Sequence, residues 1–205
     1  PVFTFGPGGH LEVKRCRSGS TLKVHWPVQG QILELDWTPP FEHSIRTLEV
    51  ALAVGLGLGF ALEELIENIH QLSVAPLRGE LQEVAGVEFM LDCYNSSPLA
   101  MESAIKRLES EPSSGRRVCV VGTMEELGEQ EEGWHTEMGK KLGNSQLDLV
   151  YVTGRARQWT RNGIHQSGGD AVLLADDEQA AQVLAGELRP GDRVLFKASR
   201  SERLE

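Results

Sequence analysis

Two rhythms of apolar and polar residues divide the chain. Up to about residue 40, apolar positions alternate with polar ones in the runs VFTF (2–5), HLEVKRC (10–16), TLKVHWPV (21–28) and QILELDW (31–37). Turn-forming clusters, Gly6-Pro7-Gly8-Gly9 and Ser18-Gly19-Ser20, lie between them. A period of two predicts three or four antiparallel strands, too few for a sandwich of their own. Helical spacing replaces it over 42–58 and 62–72, where Leu62, Leu65, Ile66 and Ile69 share one face. The glycines at 55, 57 and 59 break the run between the two helices near Gly59. Pro76 closes this segment, and 77–84 reads as a strand leading into the next unit.

From Val87 the pattern becomes strand–helix–strand. Continuous apolar runs predict strands at 87–92, 117–122, 148–153, 171–174 and 193–197, with helices at 98–110, 130–143, 155–161 and 177–188 between them. Strands without alternation are those covered by helices on both faces. The expected fold is therefore α/β: a doubly wound, Rossmann-like, mostly parallel sheet, preceded by a smaller segment of strands and two helices. The division falls between residues 1–80 and 85–205. In open sheets of this kind ligands bind at the carboxyl ends of the strands. That directs attention to the polar knot Asp92-Cys93-Tyr94-Asn95, which ends the first strand of the second unit.

Composition narrows the function. The chain of 205 residues carries a net charge of −10, which argues against nucleic acid as a partner. No run reaches the roughly 18 apolar residues of a membrane span, and none reads as a signal peptide. Cys16, Cys93 and Cys119 are widely spaced, with no CxxC, so neither a disulfide framework nor a zinc site is expected, and a reducing cytoplasm fits. Because the sequence opens on Pro1, it reads as a fragment or a processed product.

Four further places could carry chemistry. The loop Gly122–Gly128 (GTMEELG) follows a strand and is either a plain strand-to-helix turn or a substrate-facing loop. It lacks dinucleotide glycine spacing, and no Gly-Lys-Ser/Thr phosphate loop occurs in the chain. Lys197, Ser199 and Arg200 follow another strand and could bind a phosphate or carboxylate. His43 and His135 lie at or in helices, where each is either a cap or packing residue or a base.

Taken in order, LDCYNSSPLAMESAIKRL, RVCVVGTMEELGEQEEGWHTEMG, LVYVTG and VLFKASRSERLE resemble the C-terminal domain of a Mur ligase over residues 85–205. The family pattern is D-x-Y-N-A-N-P, then G-x-M-x-E-L-G with a histidine in the next helix, then K-G-S-R-S. His43-Ser44-Ile45-Arg46-Thr47 and the alanine-rich helix after it are similar to the tail of the family's central ATPase domain. The resemblance implies an ATP- and Mg²⁺-dependent ligase adding D-Ala-D-Ala to UDP-MurNAc-tripeptide, working with the rest of its central and N-terminal domains. It implies that His43, Asp92, Tyr94 and Asn95 serve the nucleotide, Asp92 at the ribose. It also implies that Thr123, Glu126, Lys197, Ser199 and Arg200 face the dipeptide or the peptide carboxylates. No catalytic residue or metal ligand is assigned within the chain. Ser44, Thr47 and Glu80 depart from the family pattern, which keeps a second reading open: a diverged, non-catalytic binding or scaffold module.

Overall fold

The computed structural model describes residues 4–15, 21–26, 30–37, 43–69, 75–175 and 177–205. The chain forms two compact units, 1–73 and 74–205.

In the first unit β1 (Glu12–Arg15), β2 (Thr21–Trp26) and β3 (Gln31–Asp36) form an antiparallel sheet in that order. The alternation works as expected: Leu22 and Val24 are buried while Lys23 between them is exposed. Helices α1 (His43–Gly57) and α2 (Leu62–Ile69) complete a core of Leu11, Val13, Leu22, Val24, Leu35, Ile45, Leu48, Leu52, Leu62 and Ile69. The helices separate at Gly59, whose φ of +93° lies in the region that favours glycine. The buried carboxylate of Glu49 accepts from the Val13 amide (2.9 Å) and from Arg46 (2.7 Å), so its charge is matched. Val50 and Val54 of α1, and Leu58 just past its end, are exposed apolar side chains on the row that Arg46 opens.

The second unit holds β4 (Glu80–Val84), β5 (Val87–Asp92), α3 (Pro98–Ser110), β6 (Arg117–Val121), α4 (Glu131–Gly143), β7 (Leu149–Val152), α5 (Arg157–Gln166), β8 (Val172–Leu173), α6 (Asp177–Glu187) and β9 (Arg193–Lys197). The six strands lie in the order β4-β5-β9-β6-β7-β8, all parallel except β4, which forms a hairpin with β5. The chain steps outward from β5 through β6 and β7 to β8. It then returns through α6 and inserts β9 between β5 and β6, so the last strand of the sequence is central in the sheet. Val87, Val118, Val120, Tyr151 and Val194 form one buried face with Leu184 of α6. The alternating Met90, Cys119 and Leu195 are buried on the other, and α3 packs on β6 and β9. Helix α3 starts cleanly, since Ser97 caps it by accepting from the Ala100 amide and Pro98 occupies its first turn.

The predicted elements recur with shifted ends. The strand expected at 77–84 begins at Glu80, and the one at 171–174 shrinks to Val172–Leu173. The helix expected at 155–161 runs instead from Arg157 to Gln166, straight through Asn162-Gly163. Gly163 is a helix breaker locally, but it is the residue at which α5 meets α4 backbone to backbone. The end of the helix expected at 62–72 lies beyond Ile69, outside the described residues, as does Cys16. Cys93 and Cys119 are buried thiols, and burial pushes Cys119 up to about 12 and Cys93 to about 11. No helix among the described residues is long and apolar enough to cross a membrane.

Candidate functional site

The carboxyl ends of β5, β9 and β6 stand side by side. Asp92 pairs in register with Lys197, and Lys197 pairs with Val121. Three of the segments singled out in the sequence, the Asp92–Asn95 knot, the Gly122–Gly128 loop and the 197–200 stretch, are thereby brought to one rim.

On the β5 side, the Lys197 ammonium donates to the Asp92 carboxylate (3.1 Å), to the Asp92 carbonyl (3.1 Å) and to the Asn95 carbonyl. Lys197 is only 1% exposed. Burial pulls its pKa below the usual lysine range, and the Asp92 charge opposes that pull. Asn95 uses its side-chain oxygen to accept from the Ser96 amide, which shapes the turn. Tyr94 is exposed, with the Arg78 guanidinium 4.2 Å over its ring. The neighbouring chain is tied to this turn, because the Tyr94 amide donates to the Leu77 carbonyl and Glu80 accepts from the Leu77 amide. Glu80, which breaks the family pattern, therefore has a local capping role, and Arg78 supplies a cation beside Tyr94.

On the β6 side, the loop is held from three directions. Ser199 donates its amide to the Thr123 carbonyl (3.0 Å), and its hydroxyl accepts from the Glu125 amide (2.9 Å). The Met124 amide donates to His135 Nε2 (2.9 Å), and His135 Nδ1 donates to the Glu131 carbonyl (2.9 Å). Arg155 reaches across from the β7 loop to Glu125 (2.6 Å) and Glu131, and Ser201 donates to Glu125. Its two carboxylate partners raise the Arg155 pKa. Thr123 is fully buried, whereas Glu126, at φ +63°, is exposed at the tip. Arg200 is exposed and ion-paired with Glu205.

Asp92, Tyr94, Asn95, Thr123, Glu126, Lys197, Ser199 and Arg200 thus all lie on the rim formed by the ends of these strands and the loops that follow them. His43 opens α1 in the first unit, and its side chain lies outside the described residues. Sequence reasoning weighed Arg78 only as a stand-in for the family's arginine at position 80, and the structure places it over the Tyr94 ring; it passed over Arg155. The signal for Arg155 was its place just after the strand-end glycine of LVYVTG, where a loop cation reaches neighbouring loops.

The two contacts of His135 fix it as a neutral ring, since Nε2 must keep its lone pair to accept from Met124. Burial pulls its pKa below the usual histidine value, and the Glu131 carbonyl works against that pull. A base whose folded-state pKa is lowered contributes stability that is complete above its unfolded value, about 6.5, and is lost as pH falls toward the folded value. Urea unfolding followed below pH 6.5 should therefore show a loss in the native chain that is smaller in His135→Gln. Identical pH dependence in both proteins would rule out this clamp as the pH-sensitive contact.

The family model described as "Mur ligase, glutamate ligase domain" matches residues 78–200. The UDP-N-acetylmuramoyl-tripeptide–D-alanyl-D-alanine ligase of Bacillus subtilis is 29% identical over 208 residues, covering 98% of this chain and 45% of the relative. The enzyme of the same name from Mycobacterium tuberculosis is 30% identical over 187 residues, covering 77% of this chain and 35% of its own. Among solved structures, the MurF ligase of Thermotoga maritima in complex with ADP aligns with a TM-score of 0.78 and 29% identity over 98% of this chain and 46% of that one. MurF of Acinetobacter baumannii shares the fold with a TM-score of 0.82 at 23% identity, over 98% of this chain and 44% of its own. The chain spans less than half the length of these relatives. With its C-terminal α/β unit matched almost end to end, the chain belongs to the Mur ligase family.

Proposed function

We propose that this chain works as the C-terminal part of an ATP-dependent carboxylate–amine ligase that joins D-Ala-D-Ala to UDP-MurNAc-tripeptide. The observation that carries the reading is the convergence of the Asp92–Asn95 turn and the Thr123–Glu126 loop on either side of β9, at one rim. Relatives named for that reaction and a relative solved with ADP point the same way. In this reading the tripeptide carboxylate takes the γ-phosphoryl group of Mg²⁺-bound ATP, breaking its bond to the leaving ADP, and the dipeptide amine then displaces phosphate from the acyl phosphate to form the amide. The Asp92 carboxylate suits a ribose hydroxyl, with Tyr94, Asn95 and the cation of Arg78 flanking it, and His43 belongs to the nucleotide side on the resemblance alone. Exposed Glu126 and Arg200 meet the peptide substrates directly. Buried Thr123 and Ser199 shape the loop that does so. Among the described residues no group of three or more His, Cys, Asp or Glu is placed to hold a metal ion.

The test is kinetic. The enzyme carrying this chain should ligate D-Ala-D-Ala to UDP-MurNAc-tripeptide with ATP and Mg²⁺, and the chain alone should form no product, for want of a phosphate loop. Asp92→Ala should raise the KM for ATP roughly ten- to a hundredfold, the range for losing a hydrogen bond to a charged group, and leave the dipeptide KM unchanged. Turnover by the isolated chain, or an Asp92→Ala effect confined to the dipeptide, would overturn the proposal.

A further inference from the structure

We propose that Lys197 is a positioning residue: it clamps the nucleotide-side turn from inside the protein and makes no contact with substrate. A lysine ammonium has three protons to donate and nothing to accept with. Here three acceptors surround it, the Asp92 carboxylate at 3.1 Å, the Asp92 carbonyl at 3.1 Å and the Asn95 carbonyl. With the side chain 1% exposed, no proton remains for a ligand and no path leads to one. Two of the acceptors are backbone carbonyls three residues apart, so the ammonium closes the turn and fixes the backbone that presents Tyr94 and Asn95. The same charge orients the Asp92 carboxylate, whose side chain is 12% exposed.

Two residues further on, Ser199 does the corresponding work on the other side of β9, holding the Glu125 amide and the Thr123 carbonyl. The tripeptide Lys197-Ala198-Ser199 therefore fastens both loops, each by a different group. The Gly122 amide, which donates to the Lys197 carbonyl (3.0 Å), ties the β6 loop to the same three residues. The two fastenings separate by chemistry. Removing the ammonium loosens the Asp92–Asn95 turn alone, and removing the hydroxyl loosens the Thr123–Glu126 loop alone.

The identity of the ligand at the turn rests on the function proposed above, whereas the clamp does not, and the experiment keeps the two apart. In this chain, ¹⁵N NMR should find the Lys197 ammonium in slow proton exchange, with hydrogen-bond couplings to the carbonyl carbons of Asp92 and Asn95. Adding D-Ala-D-Ala should leave that resonance in place. In the enzyme carrying the chain, Lys197→Met should raise the KM for ATP about tenfold or more with the dipeptide KM within about twofold, and Ser199→Ala should show the opposite split. Lys197→Arg should rescue only in part, because a planar fork cannot reach the same three acceptors. A fast-exchanging ammonium, a Lys197 resonance that moves with the dipeptide, or a Lys197→Met effect confined to the dipeptide KM would overturn the clamp. If Lys197→Met does not fold, the NMR of the native chain decides. An intact clamp in an enzyme that fails to ligate would count against the functional reading alone.

Discussion

Replacing Asp192 with alanine should cost the second unit about 1.5–3 kcal/mol, the range for losing hydrogen bonds to a buried charged group whose partner stays partly solvated. Asp192 is 3% exposed and immediately precedes β9. Its carboxylate accepts from the Arg116 amide (3.1 Å), the Arg116 guanidinium (2.6 Å) and the Arg189 amide (2.9 Å). Its own carbonyl accepts from the Glu88 amide at the start of β5, and the Arg193 amide donates to the Arg116 carbonyl. One carboxylate therefore sets where β9 enters the sheet between β5 and β6, and with it the register that brings Lys197 opposite Asp92. Truncation would leave the partly buried Arg116 guanidinium unmatched and its amide without a partner. Urea unfolding of the chain measures the loss, and a change under about 1 kcal/mol would show that the pair contributes little. Arg116 also holds the Asp192 carboxyl below the usual carboxylate range. That contribution is complete above the unfolded value, about 3.9, and is lost as pH falls through the folded one, so the variant should be less acid-sensitive than the native chain.

The second large effect is expected from a single methyl group. Alanine for glycine inside a helix ordinarily stabilises by about 1 kcal/mol. At Gly163 the sign should reverse, with a loss of about 1–3 kcal/mol or more, as in overpacked cores. A Cβ there would collide with the Thr136 carbonyl and lie 2.9 Å from Gly139 Cα, and one on Gly139 would meet the Thr160 carbonyl. These are backbone atoms, which cannot swing aside, so α4 and α5 would have to part. Gly133, in the first turn of α4, provides the control: nothing lies within 4 Å of its Cβ position, and Gly133→Ala should be neutral or stabilising. Equal effects at the two sites would remove the close crossing as an explanation. Because α4 carries His135 and α5 begins two residues after Arg155, parting the helices should also loosen the Thr123–Glu126 loop. Hydrogen exchange at the Met124 amide would register it.

These two sites mark the boundary between what the residue pattern contains and what it omits. Periodicity was enough for the antiparallel strands of the first unit, the break at Gly59 and the strand–helix rhythm after Val87, because each depends on neighbours within a turn or a pleat. It failed at Gly163, where local propensity calls for an end to the helix and the packing of α4 overrules it. The Asp92–Asn95 turn and the 122–128 loop were legible as polar residues following apolar runs. Their adjacency was not, since they are about thirty residues apart and are separated in space by β9, the last strand to be made. Lys197 looked like a surface anion-binding group because its neighbours in sequence are Ser199 and Arg200, yet its partners lie about a hundred residues away.

By itself, the sequence determined the element types, the division into a strand-and-helix part and an α/β part, and the turns where polar groups collect. Short-range hydrogen bonding and side-chain periodicity are sufficient for those. Only the tertiary structure decided the strand order, the burial of Lys197 and Thr123, the neutral tautomer of His135 and the reach of Arg155. Each of those is a relation between distant segments, set when α6 carries the chain back and the sheet closes around β9 to bury both of its faces.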